Sequence, residues 1–199
     1  MDRTLTYFMA TTSPWTYLGH ARVIALCERH QITLDMMPMD LGQVFPISGG
    51  LPLGKRAPQR QAYRLFELAR WREVSGLPLN AQPTYFPVDG NPAAIAIIAA
   101  QLQHGAQAGL KLAGAVLRAV WAEERNIADP EVVQALISES GLDRAAVLSR
   151  TDAATAAYAR NTERAVEAKV FGAPWYVWRG EPFWGQDRLD LLERAIERG

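Results

Sequence analysis

One cysteine, Cys27, stands in 199 residues, so no disulfide can form within the chain and nothing in its cysteine usage points to an oxidising compartment. An excess of either charge is also missing: 21 Lys and Arg face 21 Asp and Glu. That balance argues against an extended nucleic-acid surface, where cations dominate, and leaves room for a local basic pocket. Long apolar runs are absent too. The longest, Pro92 to Leu102, is Ala-rich and too short to cross a bilayer. The opening MDRTLTYFMA lacks a basic stretch followed by an apolar core, so no secretory signal is expected and the reading is a soluble cytoplasmic protein. His20, His30 and His104 show no metal-like spacing and no accompanying carboxylate cluster, so no metal site is expected. There is no phosphate-cradling Gly loop, no internal repeat and no low-complexity tract.

What is there is an ordinary globular balance of apolar and charged residues, long enough for one generous domain. Thr4 to Ala10 is β-branched, aromatic and apolar, which predicts a buried strand. Thr11-Thr12-Ser13-Pro14 interrupts it, with Ser13 placed to N-cap a helix and Pro14 at its first position, where a missing N–H costs nothing. Helical spacing runs from Trp15 to about Arg29, and Ile32 to Met39 predicts a second strand. The opening third is therefore a βαβ unit with parallel strands. Residues 41–58, dotted with Gly and Pro, predict a long loop. Helices are expected from Pro58 until Leu77-Pro78, then over about Pro92–Gln103, Gly109–Glu124, Pro130–Glu139, Asp143–Ser149 and Asp152–Ala168, with a Pro-rich loop at Asn80–Asn91. Trp175–Trp178 is a strand, Arg179-Gly180 a turn and Pro182–Trp184 a short partner strand. A terminal helix over Gly185–Glu197 puts Leu189, Leu192 and Ile196 on one face and pairs Asp190 with Arg194. The order βαβ, helices, ββα predicts an α/β protein: a mixed sheet from residues 1–41 and 169–199, with a helical insertion over 42–168 that covers the mouth of the sheet.

Three segments can carry chemistry. Ser13-Pro14-Trp15-Thr16 reads as a plain N-cap. It also reads as a place where the helix dipole and free N–H groups stabilise a thiolate. Phe171-Gly172-Ala173-Pro174 reads as a strand-leading proline, or as a backbone edge that pairs with an extended peptide. Residues 55–72 hold Lys55, Arg56, Arg60, Arg64, Arg70 and Arg72 against Glu67 alone. With Arg56, Arg60 and Arg64 on one helical face, this is either a solvated face or a carboxylate clamp. Trp15 and Tyr63 read as core residues or as faces for an aromatic substrate, and Cys27 as a small core residue.

TTSPWTYLG at 11–19, KRAPQRQAYRLFELARW at 55–71, GLPLNAQPTYFPVD at 76–89 and VFGAPWYVWRGEPFWGQDRLDLLERA at 170–195 together span the chain. In these stretches it resembles the 2-hydroxychromene-2-carboxylate isomerases, relatives of kappa-class glutathione transferases and DsbA-like oxidoreductases. The resemblance implies a thioredoxin-like fold, glutathione as cofactor, and isomerisation of 2-hydroxychromene-2-carboxylate to an open-chain benzylidenepyruvate in aromatic catabolism. It makes Ser13 the catalytic hydroxyl that holds the glutathione sulfur. It puts Ser13 and Thr16 where a redox CxxC would be, which rules out disulfide exchange because a hydroxyl forms no mixed disulfide. It implies a cis Pro174 facing Ser13, with Ala173, where the family usually has Val or Ser, offering its backbone to the cysteinyl part of glutathione. Gln186 and Asp187 would hold the γ-glutamyl end, Asp187 pairing with its ammonium. Lys55 matches a lysine that contacts glutathione in kappa-type relatives. Trp15, Arg56, Arg60, Tyr63 and Arg64 would face the aromatic carboxylate substrate. A homodimer is implied as well. A kappa-type transferase that consumes glutathione, and a non-catalytic thioredoxin-like binding module, are the alternatives.

Overall fold

The computed structural model describes residues 3–199. Its sheet begins with the β-branched and aromatic run, which forms β1 over Thr4–Met9, and the alternating run that follows forms β2 over Thr33–Pro38. The two are parallel, with Thr4 opposite Thr33. Joining them is α1, Pro14–Arg29, the crossover that a parallel pair needs. The last strands come from the other end of the chain. β3, Trp175–Trp178, runs antiparallel to β1 with Tyr176 opposite Tyr7, and β4, Glu181–Trp184, completes the order β2-β1-β3-β4.

Residues 41–58, expected to be loop, contain a helix, α2, over Leu41–Ser48, followed by a 3-10 turn over Leu53–Lys55. Asp40 caps α2 by accepting from Gly42 N at 2.7 Å, and Gly49 ends it at φ +75°. Gly42 and the internal Pro46 hide this helix in the sequence, and Val44 is its one buried residue. The remaining helices are α3 (Pro58–Ser75), α4 (Asn91–His104), α5 (Ala106–Trp121), α6 (Pro130–Glu139), α7 (Arg144–Leu148), α8 (Thr151–Glu167) and α9 (Leu189–Glu197). α5 opens and closes three residues earlier than its sequence spacing predicts, because Gly105, at φ +88°, breaks from α4 and starts it. The terminal helix opens late. Gly185 is extended at φ +100°, ψ 151°, and Gln186–Arg188 form a 3-10 turn ahead of α9. Asp190 does not reach along α9 to Arg194 as expected; Arg22 of α1 meets it at 3.5 Å.

Strand alternation divides the core. Leu5, Tyr7, Met9, Tyr176 and Trp178 face α1, α4, α5 and α9 in one continuous apolar cluster. Phe8, Met37 and Trp175 face the other way, against Val44 of α2 and Ala165 of α8. Small side chains at Ala93, Ala94, Ala96, Ala99 and Ala100 let α4 sit close to α5 and α8. The outer edge of β2 is capped by side-chain amides: Gln101 donates to Met36 O at 3.0 Å and Asn161 to Pro38 O at 3.3 Å. Among the described residues, no helix is long and apolar enough to cross a membrane.

Candidate active site

β1 stops at Met9, and the chain doubles back at once: Ser13 N donates to Ala10 O at 3.1 Å. Ser13 is extended and its hydroxyl accepts from Thr16 N at 3.2 Å, so it is the N-cap of α1, with Pro14 at the first position. The first turn of α1 holds no acidic residue, so nothing local offsets the positive end of its dipole. The same hydroxyl donates to Ala173 O at 3.0 Å across 160 positions. The Ala173–Pro174 peptide is cis. Ser13, Ala173 and Pro174 are all buried, and they form the floor of the site.

One wall is the turn before α9. Gln186 is buried, while Asp187 is exposed and ion-paired with Arg188. Arg22 Nη1 donates to Gln186 O at 3.1 Å and to its Oε1 at 2.6 Å. Gly19 permits this approach, since a Cβ there would stand 2.8 Å from Gln186 Cβ and 3.1 Å from the Tyr176 hydroxyl. Beside the floor, Phe171 meets Trp175 and Trp184 edge-on, at 4.7 Å each.

The opposite wall is the segment 76–90, strapped to the start of α1. Thr11 Oγ1 donates to Gly90 O at 3.1 Å, and the Tyr17 hydroxyl to Pro78 O at 2.8 Å. Within it, Phe86 packs on Trp121 at 4.9 Å. Arg64 of α3 lies against both rings, 5.4 Å from Phe86 and 5.5 Å from Trp121. Its Nη2 is buried without a partner. Burial first, and Arg56 second, pull Arg64 down to about 10; Arg56 is lowered by its own burial and then by Arg60. These guanidiniums therefore repel one another, and among the described residues no carboxylate pairs with any of them.

The arginines do not share one helical face. Arg56 precedes α3 in extended conformation, donating to Leu51 O at 2.7 Å with its guanidinium over the Phe45 ring, so only Arg60 and Arg64 are a helical turn apart. Arg60 is exposed. Tyr63 lies on the outer side of α3 under Arg70, 58 % exposed, away from the Arg64 side. Trp15 is half-buried against the main core, and Lys55 is exposed at the end of the 3-10 turn. Sequence spacing did not point to Arg22, Gly19 or the Phe86–Trp121 sandwich. Arg22 sits nine positions after Ser13, out of phase with the cap, and its partner is at the other end of the chain.

Two groups belong to the framework. His20 Nε2 lies 2.9 Å from Leu110 O, which only accepts, so the proton is on Nε2 and Nδ1 accepts from the Tyr7 hydroxyl at 3.3 Å. His30, expected to stand apart from any carboxylate cluster, meets Glu193 at 2.8 Å, and together with Glu197 their ligand atoms lie within 4.8 Å of one another. Arg29 also pairs with Glu193, which makes this an exposed ion-pair network.

The DSBA-like thioredoxin domain family matches residues 4–197. A 2-hydroxychromene-2-carboxylate isomerase of Pseudomonas putida is 33% identical over 197 residues, 96% of this chain and 93% of that one. The chain belongs to the 2-hydroxychromene-2-carboxylate isomerase family. Family members are enzymes, and so is this protein. A Sphingobium xenophagum isomerase is 26% identical over 98% of this chain and 99% of its own. A solved 2-hydroxychromene-2-carboxylate isomerase superposes with TM-score 0.81 and 28% identity, covering 98% of this chain and 95% of that one. The cytosolic disulfide reductase DsbM of Pseudomonas aeruginosa shares the fold at TM-score 0.69 and 21% identity, over 98% of this chain and 97% of its own. The mixed sheet with inserted helices is thus the DsbA-like thioredoxin fold expected from the motifs.

Proposed function

We propose that this isomerase converts 2-hydroxychromene-2-carboxylate to trans-o-hydroxybenzylidenepyruvate with glutathione as a recycled cofactor. The observation that carries the proposal is the Ser13 hydroxyl at the uncompensated N-terminus of α1, 3.0 Å from the carbonyl that precedes cis Pro174. The residues present fit glutathione. Ala173 O is an acceptor for a cysteinyl N–H, and Asp187 is an exposed carboxylate for an ammonium. The hemiketal ring of the substrate opens by breaking its C2–O bond, the 2-hydroxyl proton passing to the phenol oxygen, and bound glutathione would supply a thiolate that adds reversibly to the cis double bond of the open form and leaves after bond rotation.

The protein's own part follows from the hydrogen bonds. When a cysteinyl N–H takes Ala173 O, the Ser13 hydroxyl loses its acceptor and turns its proton to the sulfur. The N-terminal amides of α1 add their dipole to the same negative charge. Arg64, braced by two rings, is rigid enough to orient the substrate carboxylate, and Arg56 adds charge beside it. Lys55 and Arg60 would reach that anion only from the surface. Trp15 is the aromatic residue beside Ser13, and Tyr63 has its face to solvent. The same reading places the enzyme in the cytoplasm as a homodimer, which light scattering checks.

The test is the absorbance change of 2-hydroxychromene-2-carboxylate with purified protein, with and without glutathione, and with total glutathione assayed afterwards. Fast conversion that needs glutathione and leaves its total unchanged is the expected result. Consumption of glutathione would make the enzyme a conjugating transferase, and conversion at the same rate without any thiol would refute the cofactor.

A further inference from the structure

We propose that Arg22 is the positioning residue for the γ-glutamyl end of glutathione: it locks the turn that carries Gln186 and Asp187 against α1. The proposal rests on the glutathione reading above. The turn over Gln186–Arg188 has no side-chain cap of its own, and it follows a glycine in an extended conformation that only glycine adopts readily. Two main-chain bonds tie its start, Gly185 N to Pro174 O at 2.9 Å and Arg188 N to Gly185 O at 3.2 Å. Neither of them holds Gln186. Arg22 does, through one guanidinium nitrogen that reaches both the main-chain and the side-chain oxygen of that residue.

Two consequences follow. Charge-assisted bonds to a buried acceptor are among the stronger ones a fold makes, so the backbone of the turn and the side-chain rotamer of Gln186 are set together. With its oxygen held by Arg22, the Gln186 side chain turns its Nε2 donors toward a ligand, and these have no partner among the described residues. A donor amide next to the Asp187 carboxylate matches an α-amino acid head group: carboxylate to the amide, ammonium to Asp187. The γ-glutamyl residue of glutathione ends in such a head group. Gly19 serves the same geometry by letting the turn come within a Cβ radius of α1. Arg22 also meets Asp190 at 3.5 Å, an exposed contact that adds little.

Calorimetric titration with glutathione and with cysteinylglycine, which lacks the γ-glutamyl residue, reads the subsite without turnover. The wild-type protein is expected to prefer glutathione about tenfold or more, the worth of one charge-assisted contact. In Arg22→Met the glutathione Kd should rise about tenfold while cysteinylglycine binding stays put, so that the preference collapses. Arg22→Lys, which keeps the charge and reaches one acceptor, should fall between. If Arg22→Met does not fold, the same ratio in Arg22→Lys decides. Loss of both thiols in parallel, or a retained preference, would show a structural arginine only and overturn the proposal. Equal wild-type binding of the two thiols would remove the γ-glutamyl subsite and this proposal with it, yet leave glutathione-dependent isomerisation standing in the absorbance assay. Binding of neither thiol would sink both.

Discussion

Ser13 Oγ donates to Ala173 O and accepts from Thr16 N, so both of its hydrogen-bonding roles are taken until a ligand displaces the first. Ser13→Ala keeps Pro14 and the helix but deletes the hydroxyl proposed to donate to the glutathione sulfur. Isomerisation should fall about a hundredfold, as for loss of one preorganised donor to a developing anion. The bound-thiol pKa, read by ultraviolet titration, should rise and carry the acid limb of the rate profile upward. Arg64 makes the contrary demand. Its lowered pKa means that burial disfavours its charge, and among the described residues no carboxylate pairs with it to compensate. Arg64→Met should therefore leave the urea midpoint unchanged or higher. The KM for the carboxylate substrate should rise about tenfold, with no such rise for its methyl ester. A fall in stability with an unchanged KM would assign Arg64 to the framework instead. Ser13 is legible in the sequence because a cap, a proline and a strand end are all local signals. The isolation of Arg64 is not, since it depends on which side chains from α5 and the segment 76–90 arrive around it.

At the scale of elements, the site is α1 held from two sides, by the turn before α9 and by the segment 76–90. The second clamp is thin: Thr11 to Gly90 and Tyr17 to Pro78. Gly90 has an ordinary helical backbone at φ −94°, so alanine fits its dihedrals, but the added Cβ would collide with Thr11 Oγ1 and lie 2.8 Å from Thr12 Cγ2. Gly90→Ala should cost about 1–3 kcal/mol by urea unfolding, the range for an overpacked contact. Because Thr11 and Thr12 lead into Ser13, it should also raise the KM for substrate. Most helices announced themselves by spacing and punctuation; α6 did so to the residue. α2 did not, because a short helix with an internal proline and one buried side chain carries almost no periodic signal. The expected common face of Arg56, Arg60 and Arg64 failed for a related reason: Pro58 starts α3 two residues after Arg56, which the four-residue repeat alone does not register.

Across the whole molecule, one apolar cluster joins one face of the sheet to α1, α4, α5 and α6, while Ala173 of the site's floor packs in the second cluster, on the other face. The first cluster holds His20 as a neutral imidazole, lowered from its ordinary 6.5 by burial, against the raising effect of its bond to Leu110. The unfolded chain takes up a proton below about 6.5 while the fold resists it, so this contribution is complete above that pH and lost as pH falls through it. Urea unfolding should show stability declining on the acid side, and His20→Gln, which can still donate to Leu110 O, should flatten that decline. Composition and local pattern determined much here: no disulfide, the βαβ and ββα halves, and the capped start of α1. These are short-range properties, set by propensity, capping and hydrogen-bonding capacity within a few residues. Tertiary structure alone decided that Arg22 holds Gln186, that Arg64 is buried among rings with no carboxylate partner among the described residues, and that Tyr63 faces outward. Each depends on side chains brought together from distant parts of the chain, and the pairing follows from the packing of whole elements rather than from any spacing along the sequence.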